Sequence, residues 1–157
     1  MKRVLVCLLI ALCGLSCQAV TLPDVTIRDV DGKEVKVASL AKTGKPVIIT
    51  FFATWCGPCK RELKALNEVY ADWQKETGVE IYIVSIDKGE DVQNVKTMVD
   101  GYGWKFHVLL DPDGTFKKPM NVEHIPHMYI LNSKGKIVYK HVGYEPGDEA
   151  KIRKYLR

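Results

Sequence analysis

Val47-Ile48-Ile49-Thr50-Phe51-Phe52 runs almost directly into Thr54-Trp55-Cys56-Gly57-Pro58-Cys59, and this junction limits the possible folds more than any other part of the chain. The first stretch is nearly continuously apolar. A strand of that kind is buried on both faces, so its sheet must be covered on each side. After the second stretch, Leu63, Leu66, Val69, Tyr70 and Trp73 recur at three- and four-residue intervals until Thr77-Gly78 ends the run, which predicts a helix from Pro58 to about Glu76. The two cysteines therefore sit between a buried strand and a long amphipathic helix. Pro58 suits the first helical turn, where a missing N–H is harmless. Cys56 falls at the helix N-terminus, where unpaired amides and the macrodipole favour negative charge. Thiolate rather than thiol is the nucleophile, so this placement predicts a sulfur that is reactive near neutral pH. Cys59 lies one turn further in, close enough to attack a mixed disulfide on Cys56, and Gly57-Pro58 keeps both sulfurs in a tight turn.

The rest of the pattern builds an α/β layer around that junction. Val25 to Val30 alternates with period two, and Asp31-Gly32 turns it into Glu34 to Val37, an N-terminal β-hairpin. Glu80 to Ile86 reads as a second apolar strand, Asp91 to about Gly101 as a helix, and His107 to Leu110 as a short strand closed by Asp111-Pro112-Asp113-Gly114. Met128 to Leu131 and Ile137 to Val142 form an antiparallel hairpin, and Pro146 opens a last helix that runs to Arg157. The predicted fold is a mixed central sheet flanked by helices on both faces, with the hairpin as an extension.

With 157 residues the chain suits one domain, and 46% apolar with 27% charged residues excludes disorder. The net charge of +4 is not gathered into a stripe of Lys and Arg, so no nucleic-acid partner is predicted. Residues 1–19 read as a leader: Lys2-Arg3, then an apolar or small run from Val4 to Leu15, then Cys17-Gln18-Ala19 as a cleavage site. Leu15-Ser16-Cys17 offers a second route, lipidation at Cys17 and a lipid anchor, with Gly14 an imperfect match to such a site. Either route predicts export, with the domain spanning 20–157. Cleavage after Ala19 leaves Cys56 and Cys59 alone in an oxidising compartment. One C-x-x-C closes too small a loop to serve as a structural staple, so the pair reads as chemistry.

Trp-Cys-Gly-Pro-Cys-Lys after an apolar strand resembles the thioredoxin superfamily. The longer pattern narrows the resemblance to the exported TlpA/ResA-like thiol-disulfide oxidoreductases, across nearly all of residues 22–157. It comprises Phe51 to Glu62, a Val-Ser-Ile-Asp strand, a segment ending Leu-Asp-Pro-Asp-Gly, and Ile125-Pro126 before a strand. The resemblance implies a thioredoxin fold in which Cys56 is the attacking cysteine and Cys59 the resolving one. Pro126 matches a cis-proline that lies against the dithiol and presents backbone groups to a substrate chain. Trp55, Gly57, Pro58 and Ile125 join it on the substrate surface. Glu62 matches an acid of the ResA-like members and, three residues after Cys59, shares its helix face. Partly desolvated, it would trade protons with the Cys59 sulfur; the plainer alternative is an exposed first-turn glutamate facing the dipole.

Two departures stand out against that family. Thr50 occupies the place of a buried aspartate in thioredoxins and cannot titrate, and Lys64 replaces a helix-kinking proline of many relatives. The resemblance further implies a monomeric reductase without metal or other cofactor. Its clients would be proteins with disulfides, its electrons would come from a membrane thiol-relay protein, and cytochrome c maturation is one setting for it. The rival reading is a copper carrier using Cys56, Cys59 and His127, since Cys and His both suit copper. The spacing of His124 and His127 does not fit a zinc finger. A non-enzymatic interaction module would need a broad exposed apolar face, whereas the aromatic residues fall at core spacing.

Overall fold

The computed structural model describes residues 21–156, so the predicted leader lies outside the described residues. Ten regular elements follow in order: β1 (Thr26–Asp29), β2 (Glu34–Lys36), β3 (Val47–Phe52), α1 (Gly57–Thr77), β4 (Glu80–Ser85), α2 (Val92–Tyr102), β5 (His107–Leu110), β6 (His127–Leu131), β7 (Ile137–Val142) and α3 (Asp148–Ile152). They build one seven-stranded sheet of order β2-β1-β5-β4-β3-β6-β7. β3, β4 and β5 are parallel neighbours, while β1, β2, β6 and β7 join antiparallel.

All six residues of β3 are buried, as its composition requires, and so are all five of β6. Alternate residues of β3 feed two cores. Ile48 and Phe52 pack with Leu63, Leu66, Tyr70 and Trp73 of α1, with Val95 and Val99 of α2, and with Ile152 of α3. Val47, Ile49 and Phe51 pack with Val37, Leu40, Phe116, Met120 and Tyr129. The crossovers β3-α1-β4 and β4-α2-β5 step in one direction along the sheet, and right-handed connections then place both helices on the same face. α3 packs on that face as well, so the cover expected from helices on the opposite face is instead a 3₁₀ helix, Val37–Lys42, with the turn-rich segment that carries Phe116, Met120 and Val122.

α1 begins and ends where its sequence dictates. Cys56 is its N-cap, Pro58 lies in its first turn, and Gly78 closes it in the left-handed conformation at φ 72°. It runs unbroken from Gly57 to Thr77, so Lys64 in place of proline leaves a continuous helix. The final helix is shorter than its pattern suggested. Pro146-Gly147 does not open a helix; Gly147 takes φ 98°, and the helix starts at Asp148 and tightens into a 3₁₀ turn, Arg153–Tyr155. Val37, read as the end of a strand, instead starts the 3₁₀ helix.

Candidate active site

β3 points its C-terminal end at the turn Ala53-Thr54-Trp55-Cys56, which the Cys56 N–H closes by donating to the Ala53 carbonyl at 3.1 Å. Cys56 and Cys59 are joined by a disulfide with an S–S distance of 2.02 Å and Cα atoms 5.3 Å apart. The Cys59 N–H donates to the Cys56 sulfur at 3.2 Å, so a free helix-terminal amide faces the position where a thiolate would form. Cys59 is wholly buried and Cys56 nearly so. Trp55 beside them is 65% exposed, which fits a surface role and not a core one.

β6 runs antiparallel to β3, with His127 opposite Phe51. The residues just before His127 therefore reach the same end of the sheet as the dithiol. There the Ile125–Pro126 peptide bond is cis, and the Pro126 carbonyl accepts from the Gly143 N–H at 2.9 Å. Ile125 packs against the core cluster that contains both cysteines. Trp55 and Ile125 also share the wall of a groove of about 380 Å³, with Ile86, Lys88, Lys117 and Glu123 around it. A larger hollow of about 750 Å³ lies between the β1–β2 hairpin and β5 and touches none of the motif residues. Its size does not make it the reactive site, because no cysteine lines it.

Glu62 is only 2% exposed and lies in the second turn of α1, so the reading of it as an exposed first-turn residue is overturned. It is also more deeply buried than a partly desolvated side chain. The hydroxyl of Thr50 donates to its carboxyl oxygen at 2.6 Å. Burial drives its pKa from an ordinary 4.5 to about 8; the Thr50 hydrogen bond opposes the rise and the charge of Asp148 adds to it. At neutral pH Glu62 is therefore mostly a neutral acid, one helical turn from the Cys59 backbone. Thr50 cannot titrate, but by bonding Glu62 it acquires a part that its sequence position alone did not reveal.

His127 and its neighbours do not form the donor set that copper would need. Among the described residues no three His, Cys, Asp or Glu side chains lie close enough together to hold a metal ion. His127 shares the sheet face of Tyr129, on which its ring stacks at 4.9 Å, and that face is the one opposite α1. His124 is exposed. Both ring nitrogens of His127 are buried, and among the described residues neither has a hydrogen-bond partner. Burial, reinforced by Lys140, lowers its pKa to about 4, so the ring is neutral near pH 7.

The spatial arrangement of strand, dithiol, helix and cis-proline has relatives. Residues 19–140 match the model of the AhpC/TSA family. The chain belongs to that family. The thiol-disulfide oxidoreductase ResA of Bacillus anthracis is 32% identical over 135 residues, which cover 86% of this chain and 74% of that one. Among solved structures, an uncharacterized thioredoxin-like protein from Porphyromonas gingivalis is 52% identical, with a TM-score of 0.77 over 88% of this chain and 91% of the other. The thioredoxin domain of a thiol-disulfide oxidoreductase from Bacteroides vulgatus is 25% identical, with a TM-score of 0.70 over 87% and 96%. This AhpC/TSA member is thus a thioredoxin-like thiol-disulfide oxidoreductase of the ResA type, with the α/β fold that its sequence resembles.

Two features of the site were not singled out from the sequence. One is the Thr50–Glu62 pair; a lone threonine in an apolar strand, twelve residues before a helical glutamate, was the available signal. The other is a buried Asp87 just beyond β4, bonded to Thr54.

Proposed function

We propose that the protein exchanges disulfides with client proteins through Cys56 and Cys59, acting as a reductase on the exported side of a membrane. The observation that carries this reading is the disulfide at the N-terminus of α1, backed one turn inward by a neutral, buried Glu62. In the reduced protein the Cys56 thiolate attacks one sulfur of a client disulfide, and the other client sulfur leaves and takes a proton. Cys59 then loses its proton and attacks the mixed disulfide. The client departs as a dithiol and the Cys56–Cys59 bond forms, so two electrons have moved to the client. When a donor re-reduces the pair, the leaving Cys59 sulfur can take the proton that Glu62 holds.

The groove between Trp55 and Ile125 is where the client chain would lie, with Gly57, Pro58 and Pro126 supplying close backbone contact. Gly-Pro between the cysteines resembles the reducing branch of the superfamily, and an oxidising compartment would require a membrane thiol-relay donor, as in cytochrome c maturation. Among the described residues no helix is long and apolar enough to cross a membrane; export would rest on the leader or on a lipid anchor at Cys17. Equilibration with dithiothreitol and glutathione buffers tests the direction. A reductase gives a potential nearer the roughly −270 mV of thioredoxin than the roughly −120 mV of a strong oxidant. A value near the second figure would reverse the assigned direction.

A further inference from the structure

Asp87 is a carboxylate that dithiol chemistry does not call for, yet it is 99% shielded from solvent and bonded at both oxygens. It is 1% exposed, two residues past the end of β4. Oδ1 accepts from the Thr54 N–H at 3.1 Å and from the Thr54 hydroxyl at 2.7 Å. Oδ2 accepts from the same N–H at 3.0 Å and from the Ser85 hydroxyl at 2.7 Å. The Asp87 N–H in turn donates to the Ser85 hydroxyl at 3.1 Å. One carboxylate thus grips both donors of a single residue, and its own position is fixed from the strand behind it.

The gripped residue is the second of the turn Ala53-Thr54-Trp55-Cys56, which ends on the N-cap cysteine. Among the described residues Asp87 is the hydrogen-bond partner of the Thr54 side chain, and it ties that turn to the end of β4. On either side of Asp87 in sequence, Ile86 and Lys88 line the groove that Trp55 and Ile125 share. A rotation about Thr54 would therefore move two things together: the Cys56 sulfur relative to the Cys59 N–H, and Trp55 relative to the groove wall.

We infer that Asp87 is the positioning residue of the dithiol, acting through Thr54 to set the pose of Trp55 and Cys56. The inference rests on the proposed attack by Cys56. It assigns Asp87 no contact with a client and no proton transfer. Its carboxylate matters as a pair of acceptors held in place, not as a charge felt by the sulfur.

The test compares Asp87→Ala with Asp87→Asn in the rate of reduction of an aromatic disulfide and of a disulfide-bonded protein, measured on fully folded samples. Asp87→Ala removes every acceptor that holds Thr54, so loss of the grip should slow exchange about tenfold or more. Asparagine keeps an acceptor for the Thr54 N–H, so Asp87→Asn should recover to within about threefold of the parent. A purely structural residue would lower the melting temperature of Asp87→Ala but leave the rate per folded molecule unchanged, and that result overturns the inference. Equal slowing by both variants also overturns it, because charge and not grip would then be acting. If Asp87→Ala does not fold, Thr54→Val and Asp87→Asn are combined. Losses that fail to add support action through Thr54, and strictly additive losses refute it. An inactive parent, or an active Cys56→Ala, would instead defeat the dithiol reading itself.

Discussion

Replacing Glu62 by glutamine keeps the volume and the acceptor for the Thr50 hydroxyl but removes the titration. The folded-state pKa of Glu62 stands at about 8 against an ordinary 4.5, with burial the main cause. For an acid raised in this way, the folded protein binds the proton more tightly than the unfolded chain does. Below pH 4.5 both states are protonated and Glu62 costs nothing. Between 4.5 and 8 the unfolded chain ionises while the folded one resists, so stability falls as pH rises, and above 8 the loss is complete. At about 1.4 kcal/mol for each tenfold in proton affinity, the full loss is on the order of 5 kcal/mol. Urea unfolding of the oxidised protein and of Glu62→Gln from pH 4 to 9 measures it. The parent should lose stability steadily relative to the variant across that range, with the gap widest at the alkaline end. Two curves that stay parallel would show that Glu62 is not the buried neutral acid described, and the proton-donor role would go with it. The same variant should shift the pH dependence of cysteine alkylation in the reduced protein, because a neighbouring carboxylate no longer forms on deprotonation.

Four other outcomes are expected. Cys59→Ala should trap mixed disulfides with client proteins through Cys56 while Cys56→Ala traps almost none, as read on non-reducing gels; equal trapping would exchange the two roles. Reduced protein should hold well under one equivalent of copper or zinc by elemental analysis and still reduce a disulfide substrate, whereas tight stoichiometric copper that depends on His127 would favour the carrier reading. His127, a base with its pKa lowered to about 4, contributes stability that is present above 6.5 and lost as pH falls through 4. His127→Phe, which keeps the stack on Tyr129, should therefore narrow the acid loss by about 3 kcal/mol at most, as followed by urea unfolding at pH 4 and 7. Gly135 sits at φ 73° with room for no side chain, since a Cβ there would come within 2.0 Å of the Ala41 carbonyl oxygen. Gly135→Ala should cost at least about 2 kcal/mol, and a smaller loss would mean the hairpin tip moves freely off the 3₁₀ helix.

Much of this architecture was legible because single residue types admit few alternatives. Six apolar residues in a row before a C-x-x-C, and leucines at helical spacing after it, leave little choice about β3 and α1. Pro58 inside the start of α1 and Gly78 past its end mark its limits through backbone geometry alone. Less legible were the contacts between elements distant in sequence. Glu62 could be placed on the Cys59 side of a helix, but its hydrogen bond comes from Thr50 on β3 and a further charge acting on it from Asp148, far along the chain. Asp87 reads in sequence as a polar strand end; only the parallel pairing of β3 with β4 carries it to Thr54. His127 looks like a possible ligand beside a proline until strand alternation turns it to the face opposite α1. The short last helix shows a local limit, because Pro146 signals a helix start whereas Gly147 takes a conformation that delays it.

The two outer strands of the sheet have a consequence for the company the protein can keep. At one end, among the described residues, β2 offers Glu34, Val35 and Lys36 as the sheet edge. Without that hairpin, β5 would present its own unpaired amides and carbonyls. At the other end β7 has Lys140 in mid-strand, its ammonium over the Tyr129 ring at 5.7 Å. A short edge at one end and a mid-strand lysine at the other are poor templates for a strand from another chain. If the proposed exchange with client proteins holds, loose strands of those clients find little at these borders to pair with. On that reading a client would be met at the dithiol and its groove, and would leave once its sulfurs have been exchanged.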